Sequence, residues 1–222
     1  MFFIVMNKKI FTVVALVFTV FFAAVIFKTI ESKQKAQATI DRENFIADSL
    51  AREQYIQDSI QTVKKNNEII KKYDLLFNKE PDEFNDCVWV SHKDSRKYEH
   101  CYCYFQIKEK KAQNFRFFFN YFAHEWLFIK YLIFNFDGNN VTIYPTEINS
   151  KVISGDLIKE WFDESISSYS LTSFIEHFTN ANVVKVAIYG KDGKSIQNIS
   201  KEEIESIKNT YEYYLALGGQ FE

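Results

Sequence analysis

Alternation of apolar and polar positions is densest between Phe115 and Tyr144. Phe115, Phe117, Phe119 and Tyr121 fall on one side of an extended chain, and Arg116, Phe118, Asn120 and Phe122 on the other, because strand side chains alternate. Residues Asn120 to Trp126 interrupt the run. It resumes with Leu127, Ile129, Tyr131 and Ile133 on one face and Phe128, Lys130, Leu132, Phe134 and Phe136 on the opposite one. Asp137-Gly138 marks a tight turn, since glycine takes positive φ without steric cost, and Val141 to Tyr144 extends again. The pattern predicts three antiparallel strands in a meander, with a bend at His124–Trp126. Strands apolar on both sides are usually covered on both, so a second layer is expected on each face. Short apolar runs are ambiguous, and a helix over 115–134 is the competing reading.

Upstream the pattern changes twice. Ile10 to Phe27 is apolar apart from two threonines, with Lys8-Lys9 before it and Lys28 after it. As a helix it would reach roughly 27 Å, about the hydrocarbon thickness of a bilayer. The run exceeds the usual apolar core of a signal peptide. No pair of small residues closes it at cleavage spacing, although Ala36-Gln37-Ala38 follows beyond several charges. An uncleaved anchor is the reading favoured over a cleaved signal. Met6-Asn7-Lys8-Lys9 also resembles a natural start, which makes Met1–Val5 an upstream extension. Lysines on both flanks leave a small orientation bias, toward a C-terminal part outside the cytoplasm.

From Glu31 to Phe77 there is neither proline nor glycine, and good helix formers dominate. ENFIADSLAR at 43–52 is echoed by EQYIQDSIQT at 53–62, too few units for a solenoid. On a heptad grid Ile56, Val63, Ile70 and Phe77 share one seam position and Ile46 and Ile60 the other, while Glu53, Asn67 and Asp74 break it. One long helix is expected, either a solvated stalk or a partial coiled coil that makes homo-oligomers.

The remainder, 78–222, is long enough for one domain with its own core. Val88–Val90 and His100–Ile107 read as extended. After Pro145, Gly155 and a mixture of Ser and Asp read as loop, anchored by Trp161-Phe162. Ser173 with Glu176, and Ser200 with Glu203, have the spacing of capping boxes, which start helices. Val184–Tyr189 alternates as a strand, Asp192-Gly193 turns, and Gly218 ends the last helix. The expected fold is therefore α+β: a transmembrane helix (10–27) after a short flank (1–9), a helical stalk (28–77), then an antiparallel aromatic-rich sheet with two C-terminal helices.

Phe at 23 and Tyr at 13 put aromatic rings throughout the core. Formal net charge is −2 and the isoelectric point near 6.1, which removes the electrostatic footprint of a nucleic-acid binder. Cys87, His92, His100, Cys101 and Cys103 cluster, but the C-x-C spacing is not that of a zinc knuckle. Buried small hydrophobes are favoured there over a disulfide from Cys87 or a Cys–His nucleophile of hydrolase type. No metal, cofactor or catalytic residue is assigned, and the balance is against an enzyme. The candidate ligand site is Arg116, His124, Glu125 and Trp126, an acid and an indole at the bend with a cation among aromatics. The duller alternative is a turn whose Trp folds onto the core. Arg116, if buried, needs a carboxylate, with Glu125 and Asp163 as candidates.

Arg116-Phe117, Tyr121, Trp126–Ile129 and Asp137-Gly138 together resemble an L-R-F-x-x-x-Y, D-W-L-F-I, D-G block. That block belongs to bacterial membrane-anchored and lipoprotein domains that carry no assigned activity. Glu160–Asp163 and the Ile204–Tyr214 helix are similar as well, and Glu125 stands where the block has Asp. The resemblance covers about 80–222, within one domain's usual size. It implies a tethered domain and no mechanism, with the membrane and an unidentified protein or cell-envelope ligand as partners.

Overall fold

The computed structural model describes residues 8–167 and 169–221, with side chains for all of these except 8–20, 23, 24, 36, 38, 169 and 170. The extension Met1–Val5, most of the side chains of the apolar run, and those of Ala36 and Ala38 therefore lie outside the described residues. Helix α1 (Lys8–Tyr73) is continuous over 66 residues. Pairs one turn apart support it: Lys35 Nζ donates to Glu31 at 2.7 Å, and Gln37 and Gln54 donate to Asp41 and Asp58 at 2.8 Å. Among the described residues no helix is long and apolar enough to cross a membrane, so the transmembrane part of the expected fold draws no support from the structure.

The chain divides into two compact units, one ending at Thr62 and one beginning at Val63. The second unit holds the last turns of α1. Tyr73 is 1% exposed, and Ile69 and Ile70 pack against the core. The helix stops there, short of Phe77, which opens strand β1 (Phe77–Asp82). Then follow β2 (Cys87–His92), β3 (Cys101–Lys108), β4 (Lys111–Ala123), β5 (Ile129–Phe136), β6 (Asn139–Ile143), β7 (Asn149–Ser154) and β8 (Leu157–Ser165). Helix α2 (Tyr169–Asn180), β9 (Val184–Gly190), β10 (Gly193–Ile199) and α3 (Lys201–Ala216) complete the unit.

The strands form two antiparallel sheets. One has six strands in the order β1-β2-β3-β4-β8-β7, and the other four in the order β10-β9-β5-β6. The core lies between their inner faces. Phe117 and Phe119 of the first sheet meet Phe134 of the second at ring distances of 6.1 and 6.0 Å. Phe174 and Phe178 of α2 close around them, at 5.1 and 6.0 Å from Phe117. Tyr213 and Tyr214 of α3 cover Phe105 at 5.9 and 5.5 Å. Edge-to-face packing dominates, as the ring quadrupole favours.

The α+β class and the antiparallel pairing agree with the sequence reading, but the meander does not. β4 and β5 never pair; they belong to different sheets, and residues 124–128 carry the chain from one to the other. The helical alternative over 115–134 is absent, because both segments are strands. A register shift between Ile129 and Tyr131 turns Ile129 inward with Leu132 and Phe134, against simple alternation. The Asp137-Gly138 turn forms as expected, both residues at positive φ. The stretch read as loop after Pro145 is instead the hairpin β7–β8, with Trp161 and Phe162 inside a strand. β1 and β10 were also invisible in the pattern. Ser173 sits within α2 rather than at its start. The Ser200 box is real: Glu203 N–H donates to Ser200 Oγ at 3.2 Å and Ser200 N–H to Glu203 Oε2 at 2.9 Å.

Candidate functional site

The four residues singled out from sequence do not form one site. Arg116 and His124 lie eight positions apart along and just beyond β4, roughly 27 Å in an extended chain. Arg116 pairs with Asp163 of the adjacent strand, Nε to Oδ1 at 2.8 Å, and Nη2 donates to the Asp163 carbonyl at 2.9 Å. Of its two candidate carboxylates, Asp163 is the partner. His124 faces Asp156 at 3.1 Å with both side chains open to solvent. Glu125 is exposed. Trp126 stacks on Phe128 at 6.1 Å and packs partly against the core, so its role there is the structural one.

What holds this bend is a residue to which the sequence assigned no role. Glu160 on β8 is 1% exposed and accepts from Leu127 N–H (2.7 Å), Phe128 N–H (3.0 Å) and Ile129 N–H (2.9 Å). The three donors belong to a segment that has left one sheet and not yet joined the other, and buried N–H groups need such a partner. Phe128 adopts φ +52° there. Gly190 closes the same spot: a Cβ on it would lie 1.9 Å from the Leu127 carbonyl oxygen.

The cysteine–histidine cluster is dispersed. Cys101 and Cys103 are fully buried and free, and burial pushes both thiols well up. Cys87 is also buried and free. His100 N–H and Cys101 N–H both donate to buried Glu203, at 2.7 and 3.0 Å, tying the start of β3 to the start of α3. Among the described residues no three metal-ligating side chains converge. His92 alone borders a cavity, of about 790 Å³, with Asp94, Lys97 and Tyr98 on one side and the first turns of α3 on the other. Its walls carry both charge signs, and Lys97 and Asp94 pair with each other at 2.6 Å. Burial lowers the His92 pKa, and its Nδ1 accepts from Asp94 N–H at 3.3 Å, which fits a neutral ring.

The larger feature is the outer face of the six-stranded sheet. Even-numbered positions of β3, and of β4 from Arg116 on, point away from the core, as do odd positions of β8. They bring Tyr102, Tyr104, Phe118, Phe122 and Trp161 to one surface, which Trp89 of β2 extends. Tyr102 and Phe118 are register partners and stack at 4.9 Å. Trp89 lies 5.3 Å from Tyr104. Sequence alternation found the rings of β4 here, but among the described residues of the unit from Val63 on no second layer lies over them. They are half-buried by one another, and Phe122 is 40% exposed. The Arg116–Asp163 pair crosses the middle of this face. Tyr104 Oη donates to Asp163 Oδ2 at 2.5 Å, and burial, followed by that hydrogen bond, pushes the Tyr104 hydroxyl up. At the β8 side Lys159 Nζ lies 5.0, 5.4 and 5.2 Å from the ring centres of Phe118, Phe122 and Trp161.

Fold and site together define an α+β protein with two antiparallel sheets and an aromatic outer face on the larger one, with the Cys101 and Cys103 thiols buried. No family model matches the chain, and neither a curated protein nor a solved structure does.

Proposed function

We propose that the protein is a membrane-tethered, extracytoplasmic binding module that holds its ligand on the outer face of the six-stranded sheet and performs no chemistry on it. The observation that carries the reading is the contiguous aromatic surface from Trp89 to Trp161, over which no described residue of the unit from Val63 on forms a covering layer. Contiguous exposed apolar area rimmed by polar groups marks interaction sites, and Tyr, Trp and Arg dominate binding hot spots. The tether rests on the uncharged run Ile10–Phe27. The alternative of a Cys–His hydrolase is weakened by burial of Cys101 and Cys103, because the thiolate is the nucleophile and burial in apolar surroundings suppresses it.

The test is co-sedimentation of the detergent-solubilised full chain with purified bacterial cell walls, beside a Phe118→Ala, Trp161→Ala double variant. Retention of the wild type and loss of the variant, with unchanged melting of α-helical signal, is expected. Equal retention of both would remove the face from the account, and turnover on a hydrolytic substrate panel would remove the non-enzymatic reading.

A second reading concerns α1. Ile46, Ile56, Ile60 and Val63 are 48%, 47%, 56% and 60% exposed in the single chain. An uncovered seam of this kind is what a second copy would cover in a coiled coil. Sedimentation equilibrium is expected to give a dimer for the wild type and a monomer for Ile56→Asp, Ile60→Asp.

A further inference from the structure

Lys151 on β7 and Lys159 on β8 are register partners, set directly opposite each other at one end of the aromatic face. Like charges in that position repel and destabilise a strand pair. Among the described residues neither lysine makes an ion pair, and both reach the Trp161 ring, at 5.7 and 5.2 Å. Elsewhere on this face Arg116 is paired with Asp163, and Arg96 with Glu80 at 2.7 Å. Burial among the rings lowers the Lys159 pKa, and the charge of Lys151 lowers it further.

A second polar group at the same place is unsatisfied. Asn120 is 5% exposed, and its Oδ1 has no hydrogen-bond partner. Its register partner is Trp161, and Phe118 and Phe122 flank it two positions away on the same side of β4. The Lys159 ammonium is nearly equidistant from those three rings. Buried polar atoms left without a partner are uncommon and call for a physical reason.

We propose that this end of the sheet binds the carboxylates of an acidic polysaccharide, a chain of uronate-type sugar rings laid across the strands. The proposal rests on the reading of the aromatic face as a binding surface. From β2 to β7 the face crosses five strands, roughly 19 Å at usual strand spacing, wide enough for several sugar rings. A pyranose ring presents C–H groups on its flat side and oxygens at its edge. The flat side packs on the outward rims of the Tyr102, Phe118 and Trp161 rings, whose faces stack on one another or carry a lysine, and an edge carboxylate meets Lys159 and Lys151. An acidic peptide lacks the flat ring faces. A nucleic acid has them, but it carries a phosphate on every unit and is drawn by a positive field, whereas this chain has a formal net charge of −2.

The experiment is calorimetric titration of the solubilised full chain with a hexameric uronate, the neutral hexasaccharide of the same linkage and a single-stranded oligonucleotide. Wild type, Lys159→Gln and Lys151→Gln are compared, with thermal melts as folding controls. Lys151 is exposed, so its variant keeps the test valid if Lys159→Gln fails to fold. The expected result is uronate binding that weakens at least about tenfold in Lys159→Gln and also in Lys151→Gln. It also weakens as salt rises from about 50 to about 500 mM. Equal affinity for the neutral sugar, tighter binding of the oligonucleotide, or indifference to both lysine changes overturns the proposal. If cell-wall retention still depends on Phe118 and Trp161 while uronate does not bind, the acidic-sugar assignment falls and the binding face stands. If that retention is absent too, both fall.

Discussion

Glu160 and Gly190 show how single residues decide the architecture. The buried Glu160 carboxylate satisfies three successive N–H groups where the backbone passes between sheets. Replacing it by Gln turns an acceptor into a donor facing at least one of those N–H groups. An unsatisfied buried donor costs about 1–3 kcal/mol, so Glu160→Gln is expected to lower unfolding free energy by about 1–3 kcal/mol in denaturant titration. Gly190→Ala forces a methyl into the Leu127 carbonyl. The loop must shift, at about 1–3 kcal/mol for overpacking of this kind, and hydrogen exchange at 127–129 should quicken. An unchanged melt in either variant would contradict these roles. Neither residue was legible in the sequence. Glu160 looked like one more acid beside Trp161, and its partners lie more than thirty positions earlier in the chain. By contrast Ser200 and Glu203 were legible, because a capping box closes within one turn. The Arg116–Asp163 pair was legible as a need, a cation among aromatics requiring an acid, but only the β4–β8 register chose the acid.

At the scale of elements, β4 carries the argument. From Phe115 to Tyr121 its odd positions face the core, while Arg116, Phe118 and Phe122 lie on the outer face. Composition alone suggested cover on both sides, since phenylalanine occupies both. The structure resolves that differently: even positions shelter one another through ring stacking and Lys159 rather than under a further layer. Pattern could find β4 and β5 as strands but could not find their partners. Alternation is local, whereas sheet membership here depends on the 124–128 crossing and on β8. β7–β8 was missed because Lys151 and Lys159 are polar at positions facing out and Val152 and Ile153 are exposed, so no clean hydrophobic period survives. Because Phe118 is only half-buried, Phe118→Ala is expected to cost the fold less than about 2 kcal/mol, below the usual range for a fully buried Phe, while abolishing ligand retention. A loss of stability as large as that for a core phenylalanine would place Phe118 in the core instead.

Across the molecule, the folded unit from Val63 on joins the end of α1 to α3 through polar pairs as well as packing. Tyr213 Oη donates to Asp74 and Tyr73 Oη to Glu212, each at 2.8 Å. Stability should therefore depend on pH in two windows. Burial lowers the folded pKa of His92, so the unfolded chain takes up that proton first. Its contribution is complete above about pH 6.5 and declines as pH falls below it, levelling off once the folded ring protonates. Hydrogen bonds from Lys79 and then Tyr213 lower the Asp74 pKa, so its contribution is present above about pH 4 and is lost below that. His92→Gln should flatten the upper window and leave the lower one, as read from denaturation midpoints across pH.

The central claim is that the open aromatic face is where a ligand sits, and side-chain oxidative footprinting of the full chain with and without cell-wall glycan tests it most directly. The account predicts protection of Tyr102, Phe118, Phe122 and Trp161 on addition of glycan. It predicts no change at Tyr131, Tyr144 and Tyr189, which cluster on the outer side of the four-stranded sheet. Protection of the second group with none of the first would contradict it.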